Sequence, residues 1–126
     1  YQELLAIVRK TFGIVDVLGS ALRALDDKID LSFVYGSIAK KEETASSDVD
    51  LFIVSESLTY TDVMAVLSDT EQLLDRPINP SIYAKEQIKT KLSDKNSFLT
   101  RVLEQPKLWI KGTDNDINEL REFSKN

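Results

Sequence analysis

Apolar residues fall into two patterns along this chain. Leu31 to Tyr35 and Val49 to Val54 are short, nearly continuous apolar runs bounded by turn residues. Such runs predict buried strands. Elsewhere the apolar positions recur at helical spacing. Leu4, Val8, Phe12, Val15, Leu18, Leu22 and Leu25 follow three- and four-residue steps, so residues 3 to 28 are expected to be helical, with a break or bend near Gly13 and a polar turn at Asp26-Asp27-Lys28. Val63, Val66, Leu67 and Leu73 or Leu74 predict a further helix, capped by Thr59 or Thr61 and ending before Arg76-Pro77. Pro77 to Ala84 reads as a third strand. Pro80 lies inside it and donates nothing to a ladder, so this strand is expected at an edge or a bulge. Helices follow over 85–95 and around Phe98 to Leu103, stopped near Pro106. Lys107 to Gly112 reads as a short edge strand with Trp109 in the core. Asp114 is expected to cap a last helix with Ile117 and Leu120 inward. This order predicts an α/β (α+β) fold, a sheet with helices packed on it.

Composition narrows the function. The 126 residues suit one domain, and 42% hydrophobic with 29% charged residues is ordinary for a globular chain. There is no apolar run of membrane-spanning length and no signal-peptide pattern. No membrane partner and a cytoplasmic location are therefore expected. Cysteine and histidine are both absent, which excludes disulfides, Cys/His zinc sites, cysteine nucleophiles and Ser-His-Asp triads. Catalysis would fall to carboxylates, hydroxyls, Lys, Arg, backbone N–H groups and bound metal. A net charge of −5 makes the domain a poor stand-alone binder of nucleic acid, and the lysines of 85–95 read as a solvated face. The chain opens on Tyr1 rather than Met. Residues 1–12 are read as a connector helix from an absent N-terminal domain, and 13–126 as the domain itself.

The candidate chemistry lies around the two apolar runs. Asp48 and Asp50 stand two residues apart at the start of the second, so a strand holds both on one face. Two like charges beside apolar residues are unfavourable unless something positive lies between them. A divalent cation, Mg²⁺ or Mn²⁺, is the natural partner, because hard cations take carboxylate oxygens alongside substrate phosphates. The first run ends in Gly36-Ser37. A helix starting at Ser37 would present unpaired N–H groups to a phosphate, Gly36 would let it approach the backbone, and Ser37 would add a hydroxyl. Lys40 or Lys41, in the loop that follows, has the reach to meet a triphosphate.

Gly36-Ser37, ten residues, then Asp48-Val49-Asp50 between apolar runs resembles the signature of the nucleotidyltransferase superfamily that includes DNA polymerase beta. The wording around it, Tyr35-Gly36-Ser37-Ile38-Ala39-Lys40 and Glu42 to Asp48, is most similar to a subgroup fused to a winged-helix DNA-binding domain. The resemblance implies a mixed twisted sheet of the nucleotidyltransferase type with the acids at one end. It implies transfer of a nucleoside monophosphate from a nucleoside triphosphate to a hydroxyl, on a small molecule or on a protein. It also implies a third carboxylate on the third strand. Asn79 or Ser81 stands there instead, and no Asp or Glu occurs between Asp75 and Glu86. Asn79 can ligate through its amide oxygen but cannot act as a base. Three readings follow: an active transferase with a weakened third-acid position at Asn79; a nucleotide-binding sensory module of a DNA-binding regulator; and a non-binding scaffold. The cost of an unused acid pair argues against the last.

Overall fold

The computed structural model of the chain describes residues 11–40 and 48–125. Helix α1 (Thr11–Leu22) tightens into a 3-10 helix over Arg23–Lys28, which takes in the polar turn expected at Asp26-Asp27-Lys28. The expected helix before residue 11 lies outside the described residues. Strands β1 (Leu31–Tyr35) and β2 (Val49–Val54) follow, then helix α2 (Tyr60–Leu74) and strand β3 (Ile78–Tyr83). Helices α3 (Lys85–Ser93) and α4 (Ser97–Glu104), strand β4 (Leu108–Lys111) and helix α5 (Asp114–Lys125) complete the order.

The four strands form one mixed sheet in the order β3-β2-β1-β4. β1 pairs antiparallel with β2 and with β4, whereas β2 and β3 run parallel, joined by α2. Strand alternation splits the core into two layers. Val34, Val49, Leu51, Ile53 and Ile78 face α1 and α2, meeting Ile14, Leu18, Val63 and Leu67. Leu31, Phe33, Tyr35, Phe52 and Val54 face the three later helices through Ile88, Leu99, Val102, Leu103, Ile117 and Leu120. β2 is buried on both faces, which is why its sequence is apolar without alternation.

Edge and cap chemistry set the ends of the elements. Thr59 caps α2, accepting a hydrogen bond from the Asp62 N–H, while the Asp62 carboxylate accepts from the Thr59 N–H. Thr59→Ala is expected to cost about 1 kcal/mol, read as a lower midpoint in urea unfolding with an unchanged slope. At α5 the cap falls one residue before the expected Asp114. Thr113 holds that position, its N–H donating to Asp116 Oδ2 at 2.7 Å. Asp114 instead accepts from the Trp109 indole at 3.1 Å. Trp109 is accordingly half-buried at the margin of the core rather than inside it.

β3 is an edge strand, as Pro80 requires, and its pairing with β2 runs without a bulge. The carbonyls of Pro77 and Tyr83 accept from Val49 and Ser55, so these residues turn their backbone groups toward β2 and its continuation. Alternate residues of a parallel ladder point the other way. The backbone groups of Ile78, Pro80 and Ile82 thus point to the free edge of the sheet. The outward Ile78 N–H donates to Glu71 Oε2 of α2 at 2.8 Å, and Pro80 has no N–H to offer.

Candidate functional site

β1 ends where β2 and β3 begin, so three strand ends meet at one end of the sheet. There Asp50 pairs with Tyr35 on one side and with Asn79 on the other. Asp48 lies two residues earlier, just before β2. All of these residues, with Ser81, belong to the face that carries Phe52 and Tyr83. The Asn79 amide donates from Nδ2 to Asp48 Oδ2 at 3.0 Å. Burial holds the Asp50 carboxyl above the usual carboxylate range. A hydrogen bond from Asn79 opposes that shift and the Asp48 charge adds to it. Burial likewise raises the Tyr35 hydroxyl; a hydrogen bond with Ser81 works against this, and Asp50 and Tyr83 reinforce it.

Gly36 closes the site from the side of β1. Its φ of +77° takes the chain out of the strand, and a Cβ there would lie 3.2 Å from Asp50 Cγ and inside hard contact of Oδ2. Only a residue without a side chain fits both the conformation and the space. The expected helix start at Ser37 is realised as a turn over Gly36–Lys40, closed by the Lys40 N–H to the Gly36 carbonyl at 3.0 Å. Its anchor is Ile38, fully buried in the layer under α1 and α2, which pulls the segment across the strand end. Ser37 is half-buried, and the Lys40 side chain is exposed. Lys41, Glu42 and Glu43 lie outside the described residues.

The donor set suits a hard cation. Two carboxylates sit on one face, and an amide N–H already occupies the side of Asp48 where positive charge is favoured. Rotating the Asn79 amide would present its oxygen there instead. Among the described residues, no three of His, Cys, Asp and Glu gather in a group able to hold a metal. Asp48 and Asp50 would therefore take a cation together with phosphate oxygens and water. One neighbour is not evident from the residues alone. Tyr35 reaches the site because of the β1–β2 register, which the loop between the strands conceals. Ser81, the alternative to Asn79 in the sequence, shares its face two residues further on.

The sequence matches the family model described as "Polymerase beta, Nucleotidyltransferase" over residues 20–106, from within α1 to beyond α4. The chain belongs to the polymerase beta nucleotidyltransferase family. No curated protein matches its sequence. Solved structures similar to this nucleotidyltransferase domain include a toxin–antitoxin complex with AMP-PNP, at a TM-score of 0.59 and 13% identity, covering 88% of this chain and 83% of that one. A mutant of the toxin–antitoxin MntA–HpeT is similar at a TM-score of 0.57 and 13% identity, covering 84% and 79% of the two chains. The tri-AMPylated Shewanella oneidensis HEPN toxin in complex with MNT antitoxin gives a TM-score of 0.52 at 14% identity, covering 84% and 76%. At such identities the likeness is one of fold, and it matches the mixed sheet and packed helices of this nucleotidyltransferase domain. Among the described residues, no helix is long and apolar enough to cross a membrane.

Proposed function

We propose that this nucleotidyltransferase domain moves a nucleoside monophosphate from a nucleoside triphosphate to a hydroxyl acceptor, with Mg²⁺ (or Mn²⁺) bound by Asp48 and Asp50. The observation that carries the reading is the carboxylate pair on one face of the sheet end, closed by a glycine with no room for a side chain. The metal, when bound, neutralises charge on the phosphates. Gly36 leaves room for the Asp50 carboxylate, Ser37 offers its hydroxyl, and Lys40 has the length to reach an outer phosphate. The acceptor oxygen bonds to the α-phosphorus, the bond to the bridging oxygen breaks, pyrophosphate leaves, and the acceptor's proton passes to water. Among the structural neighbours, one complex contains AMP-PNP, an ATP analogue, and another contains an AMPylated toxin. They support ATP as donor and a protein hydroxyl as acceptor, with a small-molecule hydroxyl as the other acceptor class.

One observation favours a second reading. Asn79 occupies the position beside Asp50, and its amide is bonded to Asp48. An amide supplies neither charge nor a base, so the domain would hold metal and nucleotide with little turnover. It would then serve as the sensory half of a regulator whose winged-helix domain precedes it and contacts DNA. Incubation with α-labelled ATP and Mg²⁺ separates the two. Label transfer with release of pyrophosphate supports the transferase; nucleotide binding without either supports the sensor. Asn79→Asp restores a carboxylate, and turnover is expected to rise about tenfold or more. An unchanged rate would show that the missing acid does not limit the chemistry.

A further inference from the structure

The apolar residues on the helix side of the site end in an exposed ring. Phe33 stacks on Phe52 and Phe52 on Tyr83, all within the core layer. Tyr35 meets Phe33 and Phe52 edge-on, and on its outer side it meets Phe98, with ring centroids 6.3 Å apart. Phe98 is 36% exposed, one of three large exposed apolar side chains among the described residues. The other two, Tyr60 and Leu73, belong to α2, on the opposite layer. Phe98 alone joins a ring that pairs with Asp50.

The backbone holds Phe98 there at some cost. Lys95 adopts a left-handed φ of +57°, unusual for a residue with a side chain. The turn is closed by Lys95 N–H to Leu92 and Asn96 N–H to Lys91, and Asn96 then caps α4 through the Leu99 N–H. The fully buried face of α4 is Leu99, Val102 and Leu103, and Phe98 lies at its edge, partly covered by Tyr35. Its ring stands partly in water and against Tyr35, whose strand position pairs with Asp50.

We propose that Phe98, backed by Tyr35, is the platform on which the base of the donor nucleotide stacks. The inference rests on the nucleotide site proposed above and adds the group that reads the base. In this proposed pose the phosphates lie at Gly36-Ser37 and the carboxylates, and the nucleoside runs along the same face past Tyr35, the register partner of Asp50, to Phe98. Every base offers a π-face, so the platform recognises a flat heterocycle rather than one base in particular.

Calorimetric titration of Mg-ATP and of Mg-tripolyphosphate tests this in the native chain, Phe98→Ala and Phe98→Trp. Phe98→Ala is expected to weaken ATP about tenfold, the scale of one base–aromatic stack, and to leave tripolyphosphate unchanged. Phe98→Trp should bind ATP at least as tightly as the native chain. Equal weakening of both ligands by Phe98→Ala would overturn the platform in favour of a packing effect through Tyr35. ATP affinity unchanged by Phe98→Ala, or no higher than that of tripolyphosphate in the native chain, would overturn it and leave the phosphate site standing. If the native chain binds neither ligand, the nucleotide site itself fails and the platform with it.

Discussion

Asp50→Asn is expected to weaken Mg²⁺-dependent ATP binding by about a hundredfold or more, while the folded chain becomes slightly more stable. The two effects have one cause. Asp50 is partly withdrawn from water and faces the Asp48 charge, so its ionised form is disfavoured in the fold. Relief of the burial cost and of the Asp48 repulsion, less the hydrogen bond from Asn79, leaves a small gain read as a slightly higher Tm. Asparagine keeps the shape that Gly36 packs against, so binding falls for want of a carboxylate rather than for want of a fold. Titration of ATP with and without Mg²⁺, alongside thermal melting, reads both. ATP binding that is independent of Mg²⁺, or an affinity untouched by the substitution, would sink the metal site. A fall in Tm would show that the hydrogen bond from Asn79 outweighs the burial cost and the Asp48 repulsion together.

Gly36→Ala carries the largest expected stability loss. A left-handed φ costs a non-glycine residue about 1–2 kcal/mol, and forcing a methyl against the Asp50 carboxylate adds about 1–3 kcal/mol. The sum, about 3 kcal/mol, corresponds to a Tm lower by about 10 °C. The two contributions can be separated. In a background of Asp50→Ala the clashing atoms are gone, and the nearest remaining one, Cβ, lies at 3.5 Å, an ordinary contact. There Gly36→Ala should cost only the backbone contribution, about 1–2 kcal/mol. The substitutions are therefore coupled, and strict additivity in a double-mutant cycle would show that Gly36 and Asp50 do not press on one another.

Much of this fold could be read from the residues because local and global preferences agree. Val49–Val54 is apolar throughout and is a central strand buried on both faces. Pro80 marks an edge strand, and Thr59 with Asp62 opens α2. What could not be read depends on distance in the chain. The placement of Tyr35 and Asn79 on either side of Asp50 is a matter of register, set by two loops and a crossover helix. Phe98 has no local signature of function; it matters because a turn at Lys95 aims α4 at Tyr35. The cap of α5 was misplaced for a smaller reason. Thr113 and Asp114 are adjacent and both suit a cap, and the Trp109 indole draws Asp114 away.

The outward side of β3 bears on how a protein acceptor would be recruited. One of its backbone donors is taken by Glu71 and another is missing at Pro80. An incoming strand would find an interrupted row, so recruitment by extending the sheet is disfavoured at the very margin where Asn79 and the carboxylates lie. A protein acceptor of the proposed reaction would there be recognised through its side chains rather than by strand pairing. Its own secondary structure is then immaterial, and a hydroxyl on a helix, a loop or a loose tail can be presented on equal terms.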